Sequence, residues 1–230
     1  MNDFAHDVTG ISALGDDLRR ELYLYVSGQQ APVSREQAAK ALDVPAHQAK
    51  FHLDRLEEAG LLESEYVRVS GRSGPGAGRP AKLYRRRSDE ISVSLPAREY
   101  ALAGELMAEA IEESAATGTP VAEALARVAR SRGGDIGRHA AGPGTSSEIV
   151  SAVLSQYGYE PRVEDGRLVM ANCPFHGLAA THTMLVCHMN LALLEGMCDE
   201  LGGLSAALEP TPGRCCVVIS ENGPLADSGQ

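Results

Sequence analysis

Aromatic side chains make up only 4% of the 230 residues, which leaves little to line a substrate pocket and counts against a small-molecule enzyme. Long apolar runs are missing as well. The richest stretch, Met184 to Met197, is broken by His188, Asn190 and Glu195 and falls short of the eighteen or more residues that read as a membrane span. There is no Gly-Lys-Ser/Thr phosphate loop, and Gly76-x-Gly78-x-x-Ala81 lacks the helix that a dinucleotide fingerprint requires. No paired acid–base constellation and no Cys-x-x-Cys pair occur, and the second absence disfavours a compact zinc ribbon. Asp3 and Asp7 stand where a secretory signal would carry Lys or Arg ahead of an apolar core, so the chain is expected to act in the cytoplasm.

What is present suits a two-domain globular protein. The length is about one and a half average domains, with 43% apolar and 23% charged residues. The net charge of −10 is unevenly spread: residues 1–90 carry 13 basic and 14 acidic side chains, and residues 91–230 carry 8 and 17. Within the first of these stretches, Tyr66 to Ser88 holds seven basic residues and no acid. A polyanion partner responds to that local field and not to the overall sum.

From Leu14, the apolar residues Leu18, Leu22, Tyr25 and Val26 recur at helical spacing up to Gly28. Ala31-Pro32-Val33 reads as a connector. Ser34, with Gln37 three residues on, predicts a capping box that opens a second helix running to Leu42. After Asp43-Val44-Pro45, the stripe Ala49, Leu53, Leu56 ends at Gly60 and predicts a third helix. Its other side is expected to display His47, Gln48, Lys50, Phe51, His52 and Arg55. Ser64 to Val69 and Lys82 to Arg85 read as two strands around the Gly/Pro loop Gly71 to Pro80.

Three helices followed by a basic hairpin form a winged helix-turn-helix pattern, and Leu14 to Arg87 resembles ArsR- and MarR-like bacterial regulators in order and spacing. The residues that carry the likeness are Ser34-Arg35-Glu36-Gln37-Ala38-Ala39, Val44-Pro45 and His52-Leu53-x-x-Leu56-x-x-x-Gly60-Leu61. One helix fits the major groove of a duplex, where donors reach base edges while a wing reaches phosphates. The expected DNA contacts are therefore His47, Gln48, Lys50, Phe51, His52 and Arg55 on the helix, with Arg72, Arg79 and Lys82 on the wing. Arg79, in Gly78-Arg79-Pro80, suits a narrow minor groove, or else belongs to a mobile solvated loop. A protein-binding role for the same module is the alternative.

Beyond a linker at Asp89 to Pro96, two amphipathic helices are predicted, Ala97 to Glu113 and Val121 to Arg130. They are expected to dimerise the chain or to pack on its own core. Gly133-Gly134 through Gly142-Pro143-Gly144 reads as a breaker-rich boundary. The expected organisation is a DNA-binding domain over 1–90, a helical dimerisation region over 91–144, a Cys-containing sensor domain over 145–220 and a flexible tail over 221–230. The fold class is α+β, with a C-terminal α/β metal-binding domain.

All five cysteines lie between 173 and 216, and in a reducing compartment such clustering suggests metal or redox chemistry. A helix capped at Ser147 and a hairpin around Glu164-Asp165-Gly166 lead to Cys173. Pro174 suits the first position of a helix, which would place the Cys173 thiol at a helix N-terminus. Thr181-His182-Thr183 predicts a short helix folding back on a longer one, with Cys187 in the second turn of the longer one. Cys198, about 16 Å further along its axis, reads as core. Cys215 and Cys216 open a predicted strand, where neighbours point to opposite faces, so only one is expected to join Cys173 and Cys187. A fourth ligand could be His176, His182, His188 or the spare cysteine. The bland alternative is that the thiols serve as small apolar residues.

The spacing Cys173-x13-Cys187-x27-Cys215, within Cys173-Pro174-Phe175-His176-x-Leu178-Ala179, Leu185-Val186-Cys187-x-x-Asn190 and Gly213-Arg214-Cys215-Cys216-Val217, resembles the SufR-like repressors of iron–sulfur cluster assembly over nearly the whole chain. The resemblance implies a homodimer that carries a [4Fe-4S] or [2Fe-2S] cluster on three cysteines and binds operator DNA according to cluster status. Bottom-up, thiolates select iron–sulfur centres or zinc. The expectation is thus a non-enzymatic, redox-sensing repressor. An iron–sulfur or thiol redox enzyme and a zinc-stabilised scaffold without a sensing role are the rivals.

Overall fold

The computed structural model describes residues 4–67, 80–140 and 142–222. Its Cα framework divides into two units, residues 1–93 and 94–230. Among the described residues no helix is long and apolar enough to cross a membrane.

The N-terminal unit runs α1 (Phe4–Ala13), α2 (Asp17–Ser27), β1 (Val33–Ser34), α3 (Arg35–Ala41), α4 (Ala46–Glu58), β2 (Leu62–Val67) and β3 (Ala81–Arg86). Asp16 caps α2 by accepting from the Arg19 amide at 2.9 Å. Ser34 and Gln37 form the full capping box of α3: the Gln37 amide donates to Ser34 Oγ at 3.2 Å and the Ser34 amide to Gln37 Oε1 at 2.8 Å. Ala49, Leu53 and Leu56 line the inner face of α4 and close with Leu22, Val26, Leu62 and Tyr84 into one core. Gly60 takes φ +75°, the left-handed conformation expected of a helix-ending glycine.

The three strands form an antiparallel sheet in the order β1-β3-β2, with Leu62 opposite Arg86 and Val67 opposite Ala81. Two features differ from the sequence-based expectation. Val33 and Ser34, which read as connector and cap, pair with Tyr84 and Leu83. Residues 4–13, for which no element is predicted, form α1, whose apolar residues Phe4, Val8 and Ile11 face outward. The wing loop with Arg72 and Arg79 lies outside the described residues, as does most of the expected tail.

The C-terminal unit comprises α5 (Tyr100–Thr117), α6 (Val121–His139), α7 (Ser146–Gln156), β4 (Pro161–Glu164), β5 (Arg167–Met170), α8 (His176–Thr181), α9 (Thr183–Leu201), β6 (Leu204–Leu208) and β7 (Val217–Glu221). The sheet is antiparallel throughout in the order β4-β5-β7-β6. The cap of α7 is Thr145, in a capping box with Glu148, and not Ser147. Leu102, Leu106, Ala110, Ala124, Leu125 and Ala129 of α5 and α6 share one core with Leu154, Met170, Leu194 and Ile219. Of the two uses expected for these stripes, packing on the chain's own core accounts for the residues named here.

Of the glycines that read as breakers, Gly133 and Gly134 belong to α6, as does Gly137, while Gly142 and Gly144 follow its end. Gly133 and Gly137 face α9, while Gly196 of α9 faces α6. A Cβ at Gly133 would overlap the Leu193 carbonyl oxygen, one at Gly196 the Arg130 carbonyl oxygen, and one at Gly137 would stand 2.9 Å from that of Met197. Missing side chains let two backbones touch, and this tertiary gain outweighs the helix propensity that glycine lacks. Arg130 with Glu195 and Asp199, and Arg138 with Glu200, bridge the two helices along the seam.

Candidate functional sites: a helix-turn-helix face and a thiol cluster

In the N-terminal unit α3, the turn at Leu42 to Pro45 and α4 form a helix-turn-helix. The outer face of α4 exposes His47, Gln48, Lys50, Phe51 and Arg55. Phe51 is 56% exposed, and the Arg55 guanidinium carbon sits 5.5 Å from its ring centre. His52 departs from expectation. Its side chain is only 12% exposed and turns toward Asp16 at the start of α2, with Nδ1 3.7 Å from the carboxylate, because position 52 adjoins the buried stripe.

Lys82 also differs from a free wing donor. Its Nζ donates to Asp54 at 2.8 Å and Glu57 at 2.5 Å, both on α4. Asp54 additionally accepts from Lys50 at 2.5 Å and from the Tyr84 hydroxyl at 2.7 Å. Burial works against the Asp54 charge, but these three donors outweigh it and hold the carboxyl down at about 2. Sequence reading singles out the donors of α4 and passes over Asp54, Glu57 and Tyr84. The i, i+4 spacing of Lys50 and Asp54 is the available signal.

In the C-terminal unit the cysteines come from three separate stretches. Cys173 begins a turn, closed by the His176 amide on its carbonyl at 3.0 Å, with Pro174 inside the turn. The following helix starts only at His176, so Pro174 is a turn proline and not the first helical residue. Cys187 lies in the second turn of α9. Cys215 and Cys216 immediately precede β7, where the Cys215 amide donates to the Met170 carbonyl at 2.9 Å and the Cys216 carbonyl accepts from the Glu209 amide at 2.7 Å. The thiols neighbour one another in pairs: Cys173 and Cys215, Cys215 and Cys216, and Cys216 and Cys187. Cys198 is buried in the core.

The surroundings supply donors to sulfur. Asn190 Nδ2 donates to Cys215 Sγ at 3.3 Å, and Asn190 Oδ1 accepts from the buried Tyr159 hydroxyl at 2.5 Å. The Phe175 amide donates to Cys173 and the Val217 amide to Cys215. Contact with Cys215, then burial, raises the Cys173 thiol far above its ordinary value. Burial raises Cys187 against the opposing contact with Cys216. For Cys215, the Cys173 contact lowers the value, but Cys216 and burial overcome it and push it up to about 11. These three are neutral thiols at neutral pH. Among the described residues no group of three or more His, Cys, Asp or Glu side chains is disposed to hold a metal ion as it stands. His176, His182 and His188 are all exposed, with His188 Nδ1 engaged by the Met184 carbonyl at 2.6 Å.

The Cys173 turn is fastened to the first residues of the C-terminal unit. Arg98 reaches Asn172 Oδ1 at 2.5 Å and the Cys173 carbonyl at 3.2 Å. Asn172 Nδ2 donates to the carbonyls of Ala97 and Gly158 at 3.0 and 2.6 Å. The Glu99 amide donates to the Pro174 carbonyl at 3.1 Å, and the Gly177 amide to the Tyr100 hydroxyl at 3.2 Å.

Residues 14–65 match the family model described as a helix-turn-helix domain. The match spans α2 to β2 and includes the exposed face of α4. The N-terminal unit therefore carries the DNA-binding domain of a transcriptional regulator. No curated protein matches the chain. Arg98, Asn172 and Asn190 are functional-site residues that sequence reading misses. Asn190 stands in the cysteine motif without a role, and nothing local marks the other two.

Proposed function

We propose that the chain is a DNA-binding transcriptional repressor, acting as a homodimer in the cytoplasm, whose operator affinity is set by an iron–sulfur cluster held by Cys173, Cys187 and Cys215. The observation that carries this reading is the pairwise neighbourhood of four thiols from a turn, a helix and the residues before β7. Their donor set suits the group: soft sulfurs, gathered out of water and receiving N–H hydrogen bonds from Asn190, Phe175 and Val217, are what iron–sulfur centres use. When bound, the cluster supplies positive charge that keeps the sulfurs as thiolates and a fixed spacing between them. The neighbourhood of Cys216 to Cys187 and Cys215 favours it, over the exposed His176, His182 and His188, as the fourth ligand of this reading.

The rest is the work of this chain's residues. To ligate, the thiols give up their protons, and the Cys173 turn is tied by hydrogen bonds to Arg98, Asn172 and the Ala97–Tyr100 segment. That segment follows directly on the N-terminal unit. Phe4, Val8 and Ile11, the apolar face that α1 leaves uncovered, support association of two copies, and a dimer sets the half-site spacing of a palindrome. Four sulfurs rather than three also suit a closed tetrahedral zinc site, which is the second reading.

Anaerobic purification followed by iron, sulfide and zinc quantification separates the two readings. Iron and sulfide in equal amounts, lost together in Cys173→Ala and Cys187→Ala, support the first. Footprinting on DNA upstream of its own coding region, with loaded and unloaded protein at one salt concentration, tests the control. Equal protection in both states refutes it.

A further inference from the structure

The outer surface of the helix-turn-helix has a charge arrangement that DNA binding alone does not call for. Two cations of the expected interface, Lys50 on α4 and Lys82 on β3, are both held by carboxylates of α4. Asp54 takes Lys50 at 2.5 Å and Lys82 at 2.8 Å, and Glu57 takes Lys82 at 2.5 Å. Two positive and two negative charges cancel at the place where a basic patch is expected. Arg55, the remaining cation of the helix face, is itself 2.9 Å from Glu58. The arrangement is firmly seated: the Tyr84 hydroxyl donates to Asp54 from a buried ring, and Ser64 Oγ donates to Glu57.

We propose that Asp54 and Glu57 are specificity-determining residues, which hold Lys50 and Lys82 on the protein and so deny them to the phosphates of arbitrary DNA. Affinity for duplex of any sequence comes from cations that replace condensed counterions. A lysine already neutralised by a carboxylate releases none unless it changes partner, and the bared carboxylate then faces the phosphates. Discrimination is a difference of two affinities, so weakening the sequence-independent one raises it. Base-edge contacts from His47 and Gln48, which carry no such pairing, are left to decide where the helix seats. The inference rests on the DNA-binding role of this unit and is independent of what the thiols hold.

The test uses the full chain and a random-sequence 30-base-pair duplex, with anisotropy titrations across a salt series. Each cation set free adds about 0.9 to the slope of log affinity against log salt, and roughly five- to tenfold to affinity near 0.1 M salt. Asp54→Asn keeps an acceptor for Tyr84, removes one negative charge while Glu57 still holds Lys82, and is expected to tighten random-duplex binding by that factor and steepen the slope by about one. Glu57→Gln, which leaves the Tyr84 contact untouched, is expected to move both in the same direction by about one. Adding Lys50→Gln to Asp54→Asn is expected to return some of the gain. A lowered melting temperature with an unchanged slope in either single variant shows a purely structural clamp and overturns the proposal. Weaker random-duplex binding in both variants overturns it as well.

Discussion

Substitution of alanine for glycine at two positions of the C-terminal unit is expected to act with opposite sign. Gly196 of α9 lies on the seam with α6, where an added Cβ would overlap the Arg130 carbonyl oxygen and stand 3.0 Å from the Gly134 nitrogen. Ordinary carbon contacts settle near ~3.5 Å, so relief requires the helices to separate by more than about 1 Å. Overpacking of this kind costs ~1–3 kcal/mol or more, and prising α6 from α9, the most extensive helix pair of the unit, loosens the seam along its length. A loss of about 3 kcal/mol is expected for Gly196→Ala, a fall of roughly 10 °C in melting. Gly104, on the exposed side of α5, has nothing within 4 Å of an added Cβ. Gly104→Ala should therefore gain ~0.5–1 kcal/mol from helix propensity alone. Calorimetry that resolves the transition of the C-terminal unit reads both. If Gly196→Ala melts within about 2 °C of the unaltered chain, a shift worth under ~1 kcal/mol, the close approach of the two backbones is refuted.

The other expectations concern individual hydrogen bonds. Ser34→Ala removes the side-chain half of the α3 capping box and should cost the N-terminal unit ~1 kcal/mol, read by urea denaturation. Asn190→Ala leaves the buried Tyr159 hydroxyl and Cys215 without their partner; a destabilisation of ~2 kcal/mol or more is expected, and recovery in Asn190→Gln would count against a need for that geometry. The Asp54 carboxyl, held from 3.8 down to about 2, contributes stability that is fully present above its unfolded value and is lost as pH falls from about 4 toward 2. Acid titration of the N-terminal unit should show that loss, and Asp54→Asn should flatten it. An unchanged acid limb in the variant would refute the assignment.

The helix-turn-helix was legible because its signals are local. Ser34 and Gln37 announce a cap three residues apart, and Ala49, Leu53 and Leu56 give the buried face of α4. Helix α1 escaped because its apolar residues face outward while Asp7 and Gly10 face in, so no inward stripe marks it. Gly133 and Gly134 suggest a break by what glycine does to an isolated helix, whereas their role depends on α9, some sixty residues further along. The break at His182 between α8 and α9 was legible, although not by the expected capping: no side chain caps α9, and the Thr181 and Thr183 hydroxyls donate back to the Leu178 and Ala179 carbonyls. The neighbourhood of Cys216 to Cys187 was not, since the two lie on separate elements and nothing local links them. Lys82 looked like a wing donor because its two acidic partners lie more than twenty residues away on another element.

The clasp between Ala97–Tyr100 and the turn that presents Cys173 means that a tug at one is felt at the other. Five protein hydrogen bonds, three through the Arg98 and Asn172 side chains, one from the Glu99 amide to the Pro174 carbonyl and one from the Gly177 amide to the Tyr100 hydroxyl, leave little slack for either to rearrange alone. Within the C-terminal unit, the turn that presents Cys173 and the opening stretch of backbone therefore move as one piece.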